Sequence, residues 1–297
     1  MMIEESKVIE GSAGRNISLD IRYDNAAVKQ ACVVFCHGIK GFKDWGIWDL
    51  LADAFASASL QESSESADPK GLAFLKLNYS HNGTTPSEMS DIVDAEAFAE
   101  NRHSYELADV CRVVDALHDG DLMPLDRWSG EIYLIGHSRG GPIVIAAAAE
   151  LDVISGVLCW ASVDKLSYAW RDDEKLEQWK DDGEFLVRNS RTGDSYPIRY
   201  SLYEDYLLHQ SRLDTEQAAA KMNCPCLCVH GTADDAVPWS SSKKIVDWCK
   251  QGELALIEGA GHTFGGKHPW TSPDLPAHAA QLAEVSIDWI RGLQLKK

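Results

Sequence analysis

One stretch constrains the fold more than any other. Ile132-Tyr133-Leu134-Ile135 runs directly into Gly136-His137-Ser138-Arg139-Gly140, which leads into an Ala-rich segment from Pro142 to Glu150. A short continuous apolar run reads as a strand buried on both faces, a central position in a parallel sheet. The Ala-rich segment reads as a helix. Between them lies a tight turn that holds Ser138 clear of the sheet, with small neighbours where the backbone folds back. The helix N-terminus beneath it favours developing negative charge. A bare G-x-S-x-G is common; bracketed by a strand and a helix it is specific.

The rest of the chain fits the same plan. Apolar strand-like runs recur at Ala31–Cys36, Leu72–Leu77, Val157–Ala161, Cys226–Val229 and Leu254–Ile257. Helical spacing separates them at Trp48–Ser57, Tyr105–Leu117, Ser241–Cys249 and Pro276–Leu293. Such alternation predicts an α/β fold, a mostly parallel sheet with helices on both faces. The N-terminus reads as a hairpin, with alternating residues up to Glu10, a turn over Gly11–Gly14, and alternation again over Asn16–Tyr23. Ser57–Asp68, rich in Ser, Glu and Ala, reads as a solvated loop.

The alternation breaks between Asp164 and Gln210. An acidic helix around Leu176 and Trp179, a hairpin of Phe185–Arg188 with Tyr196–Tyr200, and a helix over Leu202–His209 are expected there. The expected organisation is therefore a core of residues 1–163 and 211–297 with an inserted cap, 164–210. The cap aromatics Tyr168, Trp170, Trp179, Phe185, Tyr196, Tyr200, Tyr203 and Tyr206 either wall an apolar pocket or form the cap's own small core.

Composition excludes several functions. Against 46 acidic residues stand 28 basic ones, a formal charge of -18. Such a field repels phosphate backbones and anionic lipid, and no basic cluster offsets it, so neither nucleic acid nor a membrane is an expected partner. It also mildly disfavours strongly anionic substrates, although one pocket can differ from the average. The acidic N-terminus leads into no apolar stretch, so no secretory signal is expected. Eight cysteines then read as reduced thiols in a cytoplasmic protein.

A serine hydroxyl attacks only when a base takes its proton and a third group orients the base. Candidates follow in the order expected for a strand–turn–helix nucleophile, serine, then acid, then histidine. His230-Gly231-Thr232-Ala233-Asp234-Asp235 follows one strand, and Gly259-Ala260-Gly261-His262-Thr263 follows the next. Both loops fall at the carboxyl edge of the sheet, beside Ser138. On residues alone, Asp234 and Asp235 compete for the acid role. Oxyanion donors are expected from the backbone N–H of Arg139 and, in the loop His37-Gly38-Ile39-Lys40-Gly41, of Ile39. The alternative for that loop is a plain strand-to-loop turn, since short Gly-rich turns are common.

Cys224, Cys226, Cys228 and His230 alternate in a way that superficially resembles a metal site. On one extended strand four such side chains cannot converge tetrahedrally, so core packing is expected, with no metal and no cofactor. Ser80-His81-Asn82-Gly83 follows another strand at the same edge, offering either a pocket contact or a satisfied loop histidine.

Four segments carry a family resemblance over nearly the whole chain: Cys36-His37-Gly38-Ile39-Lys40-Gly41-Phe42-Lys43-Asp44-Trp45, Gly136-His137-Ser138-Arg139-Gly140-Gly141, His230-Gly231-Thr232-Ala233-Asp234 and Gly261-His262-Thr263-Phe264. The chain resembles the α/β-hydrolase superfamily, and within it bacterial dienelactone-hydrolase and feruloyl-esterase-like serine hydrolases. The resemblance implies Ser138 as nucleophile, Asp234 as acid, His262 as base, and a cap between the sixth and seventh core strands. Dienelactone hydrolases proper use cysteine, so Ser138 turns the expectation toward an esterase acting on a small-molecule ester through an acyl-enzyme. An acyl thioesterase, a serine aminopeptidase and a non-catalytic ligand-binding protein of the same fold are the alternatives. Substrate preference and oligomeric state are left open.

Overall fold

A computed structural model describes residues 2–26, 29–58, 70–89, 91–167, 170, 172–189 and 191–295. Its strands are β1 (Met2–Glu10), β2 (Asn16–Asp24), β3 (Lys29–Cys36), β4 (Lys70–Asn78), β5 (Trp128–His137), β6 (Ile154–Trp160), β7 (Glu184–Arg188), β8 (Ser195–Arg199), β9 (Cys226–Gly231) and β10 (Gly252–Ile257). Its helices are α1 (Trp48–Ala56), α2 (Ala95–Ala99), α3 (His103–His118), α4 (Gly140–Glu150), α5 (Asp173–Asp182), α6 (Ser201–Leu208), α7 (Gln210–Leu213), α8 (Thr215–Lys221), α9 (Ser240–Trp248) and α10 (Ala277–Gln294).

Eight strands form one sheet in the order β1-β2-β4-β3-β5-β6-β9-β10. From β4 to β10 every pairing is parallel, and only β2 runs against its neighbours, antiparallel to both β1 and β4. The expected N-terminal hairpin is present, with Met2 opposite Asp24 and Glu10 opposite Asn16. This is the mostly parallel sheet that the strand and helix alternation predicts, and it agrees with the α/β-hydrolase architecture that the family resemblance implies.

The apolar runs do not alternate with polar residues because both faces of the sheet are covered. Along β3, Cys32, Val34 and Cys36 join one core with α3 and α4, whereas Val33 and Phe35 join a second core with α1 and α10. In β5, Ile132 and Leu134 divide from Tyr133 and Ile135 in the same way. Each such side chain contributes about 1.5–3 kcal/mol by burial, enough to fix which residues face which layer. The strands extend beyond their apolar runs because ladder bonding continues through polar residues. Helices α2, α7 and α8, not anticipated, are too short to show a period in sequence.

Among the described residues between β6 and β9, none adds a strand to the large sheet. Here lie α5, the hairpin β7–β8, and α6. The hairpin pairs Glu184 with Arg199 and Arg188 with Ser195 across Gly193, whose φ of 83° suits a tight connection. Trp179, Tyr196, Ile198 and Leu202 pack with Ile92 and Phe98 from the preceding β4–α3 connection, so this cluster is shared with the rest of the protein. Tyr168 lies outside the described residues, as does the expected Ser57–Asp68 loop beyond Ala58. Among the described residues no helix is long and apolar enough to cross a membrane.

Candidate active site

Ser138 occupies the turn between β5 and α4 with a φ of 55°. A non-glycine residue held there costs roughly 1–3 kcal/mol, which surrounding contacts must offset. The Ser138 amide donates to the Trp160 carbonyl at 2.9 Å, and the Gly141 amide donates back to the Ser138 carbonyl at 3.1 Å. The flanking glycines are sterically required. A Cβ on Gly136 would stand 2.4 Å from the Gly140 carbonyl oxygen, and one on Gly140 would stand 2.4 Å from that of Cys36.

The structure brings the three predicted side chains together. His262 Nε2 lies 3.1 Å from Ser138 Oγ, and its Nδ1 lies 2.8 Å from Asp234 Oδ2. An ionised carboxylate can only accept, so Nδ1 carries the proton and Nε2 is left to accept from the serine hydroxyl. Of the two carboxylates that the residues alone left open, Asp234 has a fully buried side chain and meets His262, whereas Asp235 is exposed. Burial opposes ionisation of Asp234. Hydrogen bonds from His230, His262 and the Val237 amide outweigh it and hold the carboxyl well below the usual range.

His230 was expected only to pack in the core. It is fully buried, but its Nε2 lies 3.1 Å from Asp234 Oδ2 and its Nδ1 lies 2.7 Å from Ser242 Oγ. The Asp234 carboxylate is thus oriented by two imidazoles and, through Oδ1, by the Ala236 and Val237 amides at 2.9 Å each. His137 performs a similar service for His262. Its Nε2 lies 3.0 Å from the His262 carbonyl, and burial, then the nearby His262, lower its pKa to about 3, so it stays neutral and donates.

The loop after β3 passes directly over the serine: a Cβ on Gly38 would stand 2.8 Å from Ser138 Cβ. Ile39 lines the same cavity. Among the described residues neither the Ile39 nor the Arg139 amide donates a hydrogen bond.

The Arg139 side chain turns away, into a buried ion pair that sequence reasoning missed. Its guanidinium meets Glu106 of α3, which also accepts from Asn101 Nδ2 at 2.8 Å. Burial raises the Glu106 pKa, yet Arg139, His103 and Asn101 overcome this and bring it down to about 2. A sequence signal existed, since Glu106 falls in phase with Val110 and Val113 on the apolar face of α3.

Two other expectations have definite outcomes. Cys224, Cys226, Cys228 and His230 do not converge. Instead Cys226 and Cys228 meet Cys159 of β6, with the three sulfurs within 4.8 Å of one another in the core. His81 is buried and bonds to Ser80 Oγ at 2.8 Å, and it is not among the residues lining the Ser138 cavity.

That cavity, of about 600 Å³, contains Ser138, His262, Ile39, Trp45, Trp48 and Val237 among its walls. Over residues 95–269 the chain matches the prolyl oligopeptidase family (Peptidase_S9). The chain belongs to this family. As a member it is a serine hydrolase of the α/β-hydrolase superfamily. Solved structures share the fold along nearly their full length. Est1E from Butyrivibrio proteoclasticus has a TM-score of 0.66 at 17% identity, covering 98% of this chain and 99% of its own. Alpha/beta hydrolase domain-containing protein 10 from mouse has a TM-score of 0.63 at 19% identity, covering 97% and 99%. A dienelactone hydrolase from Anabaena variabilis has a TM-score of 0.58 at 15% identity, covering 97% and 96%. No curated protein sequence matches the chain.

Proposed function

We propose that this family member hydrolyses small carboxylic esters through an acyl-enzyme. Ser138 attacks the carbonyl carbon while His262 takes its proton. His262 then returns the proton to the departing alcohol and activates water against the acyl group, with Asp234 holding the imidazole throughout. The Ile39 and Arg139 amides receive the oxyanion, and residues 164–210 act as a cap over the cavity. The observation that carries this reading is the continuous Ser138–His262–Asp234 hydrogen-bond chain, at 3.1 and 2.8 Å, built on a strained turn. Est1E, one of the neighbours, has been solved with ferulic acid bound, which makes aromatic esters a sensible first panel. The mechanism requires no cofactor or metal. The proposed location is the cytoplasm, on the grounds of the cysteine content given above.

The family name favours a second reading, peptide-bond cleavage. An aminopeptidase would need a carboxylate to anchor the substrate amine. Among the described residues lining the cavity there is no Asp or Glu, while Lys40, Arg191 and Lys267 are present. A substrate ammonium group would meet cations there.

The test is labelling with a fluorophosphonate probe, together with turnover of p-nitrophenyl esters, acyl thioesters and aminoacyl anilides side by side. Labelling at Ser138 with fastest turnover of the oxygen esters is expected. Labelling that survives Ser138→Ala, or anilides cleaved in preference to esters, would overturn the reading.

A further inference from the structure

The protein carries a formal charge of -18, yet among the described residues lining the Ser138 cavity the Lys and Arg side chains have no Asp or Glu beside them in the lining. Lys40 follows the proposed oxyanion donor Ile39 directly, Lys267 lies five residues beyond His262, and Arg191 reaches in from the β7–β8 connection.

How these cations are partnered is more telling than their number. Elsewhere, buried cations are matched by carboxylates. Lys43 meets Asp20 at 2.6 Å and Asp44 at 2.7 Å, and Lys76 meets Asp44 at 2.7 Å and Asp20 at 3.3 Å. Lys40 is different. It is partly buried, its ammonium donates only to the Arg188 carbonyl at 3.0 Å, and among the described residues it has no carboxylate partner. Burial accordingly draws its pKa down. Lys267 likewise lacks a carboxylate partner among the described residues. Arg191 is paired with Asp91 at 2.6 Å, but Asp91 is not among the cavity-lining residues. A half-desolvated cation lining the same cavity as the proposed nucleophile, in a chain with a large surplus of carboxylates, is arranged for a charge the protein does not itself supply.

We propose that the cavity selects esters carrying a carboxylate or another compact anionic group, held by Lys40 and Arg191. This rests on the ester-hydrolase reading above, and it reverses the expectation that the acidic balance would disfavour anionic substrates. Lys40 belongs to the core loop over Ser138 and Arg191 to the 164–210 segment, so an anion between them would also bridge the two parts of the protein.

Paired substrates provide the test. Mono-p-nitrophenyl glutarate is compared with its uncharged primary amide, and para-carboxyphenyl acetate with para-carbamoylphenyl acetate. Each kcat/KM is divided by the alkaline hydrolysis rate of the same ester. In at least one series the anionic member should exceed its neutral counterpart by about tenfold at low salt, and the preference should shrink as salt rises. Lys40→Met and Arg191→Gln should each cut the anionic-to-neutral ratio by about three- to fivefold, the magnitude of a half-exposed charge pair. Lys40→Arg should retain the ratio. Equal or faster turnover of the neutral member in both series, or a preference untouched by both substitutions, would overturn the proposal. Calorimetric binding of the same pairs to Ser138→Ala protein reads the charge preference without turnover. Failure of ester hydrolysis and failure of anion selection are therefore separate results.

Discussion

The sheet edge and the 164–210 segment solve different problems with different materials. At the sheet edge, Ser138, Asp234 and His262 are positioned by main chain: a positive φ, glycines with no room for a Cβ, and backbone amides on Asp234. In the 164–210 segment the organising contacts are side chains. Trp179 meets Phe185 and Tyr200 edge to face and donates from Nε1 to the Ile198 carbonyl at 2.9 Å, while the outer face of α5 is exposed and charged. The contrast implies that the chemistry is fixed by features that tolerate almost no substitution. From the 164–210 segment, Asn189 and Arg191 are the described residues that line the Ser138 cavity, and neither takes part in the Ser138–His262–Asp234 contacts.

The sharpest way to break this comparison is at the serine. Ser138→Ala should lower kcat on any accepted ester by on the order of 10⁴-fold or more, with folding unchanged, as read by turnover and circular dichroism. Asp234→Asn should come next, with a loss of about 10³- to 10⁴-fold, because the amide no longer fixes the His262 tautomer. A loss of less than tenfold would mean that another group orients the base.

The buried Glu106–Arg139 pair tests whether the turn depends on its support. Glu106→Gln leaves Arg139 buried without a counter-charge and should reduce unfolding free energy at pH 7 by about 3 kcal/mol. The folded-state pKa of Glu106, about 2, lies below its ordinary value of 4.5. Its contribution is therefore complete above about 4.5 and lost as pH falls toward about 2. The stability gap between the two proteins, measured by urea unfolding across that range, should close in the acid direction. A gap independent of pH would show that the loss comes from packing instead of charge.

Within the 164–210 segment the effects should be smaller and of another kind. Trp179→Phe removes one buried hydrogen bond, worth about 1 kcal/mol, and should raise KM while fluorophosphonate labelling of Ser138 proceeds at its former rate. Smallest of all, Asp235→Asn should change kcat/KM by less than about twofold, in line with an exposed loop carboxylate. Equal damage from Asp234→Asn and Asp235→Asn would erase the distinction drawn from their burial.

Some of the site was legible in advance for physical reasons. A nucleophile turn must lie between a strand and a helix, and loops leaving adjacent parallel strands must emerge at one edge. Ser138 and His262 were therefore findable from order and context, which narrowed the acid to Asp234 or Asp235 and left the choice between them to the family resemblance. His230 was less so. Along β9 it sits in phase with Cys226 and Cys228, and spacing alone could not show that its ring turns to Asp234 at 3.1 Å. Glu106 lies on a helix well before Ser138 in the chain, and its role emerges only when α3 packs beneath the turn and meets Arg139.

The sequence by itself determined the layered architecture, since uninterrupted apolar runs can be satisfied only by helices on both faces of the sheet. It also determined which residue types stand at the edge where chemistry occurs. Tertiary structure alone decided that Asp234 is the buried carboxylate and Asp235 the solvated one, that three cysteines from two strands meet in the core, and that Lys40 lines the cavity with no carboxylate partner among the described residues. Periodicity encodes which face of an element is apolar. Burial and charge pairing between distant segments depend on distances that no local pattern records.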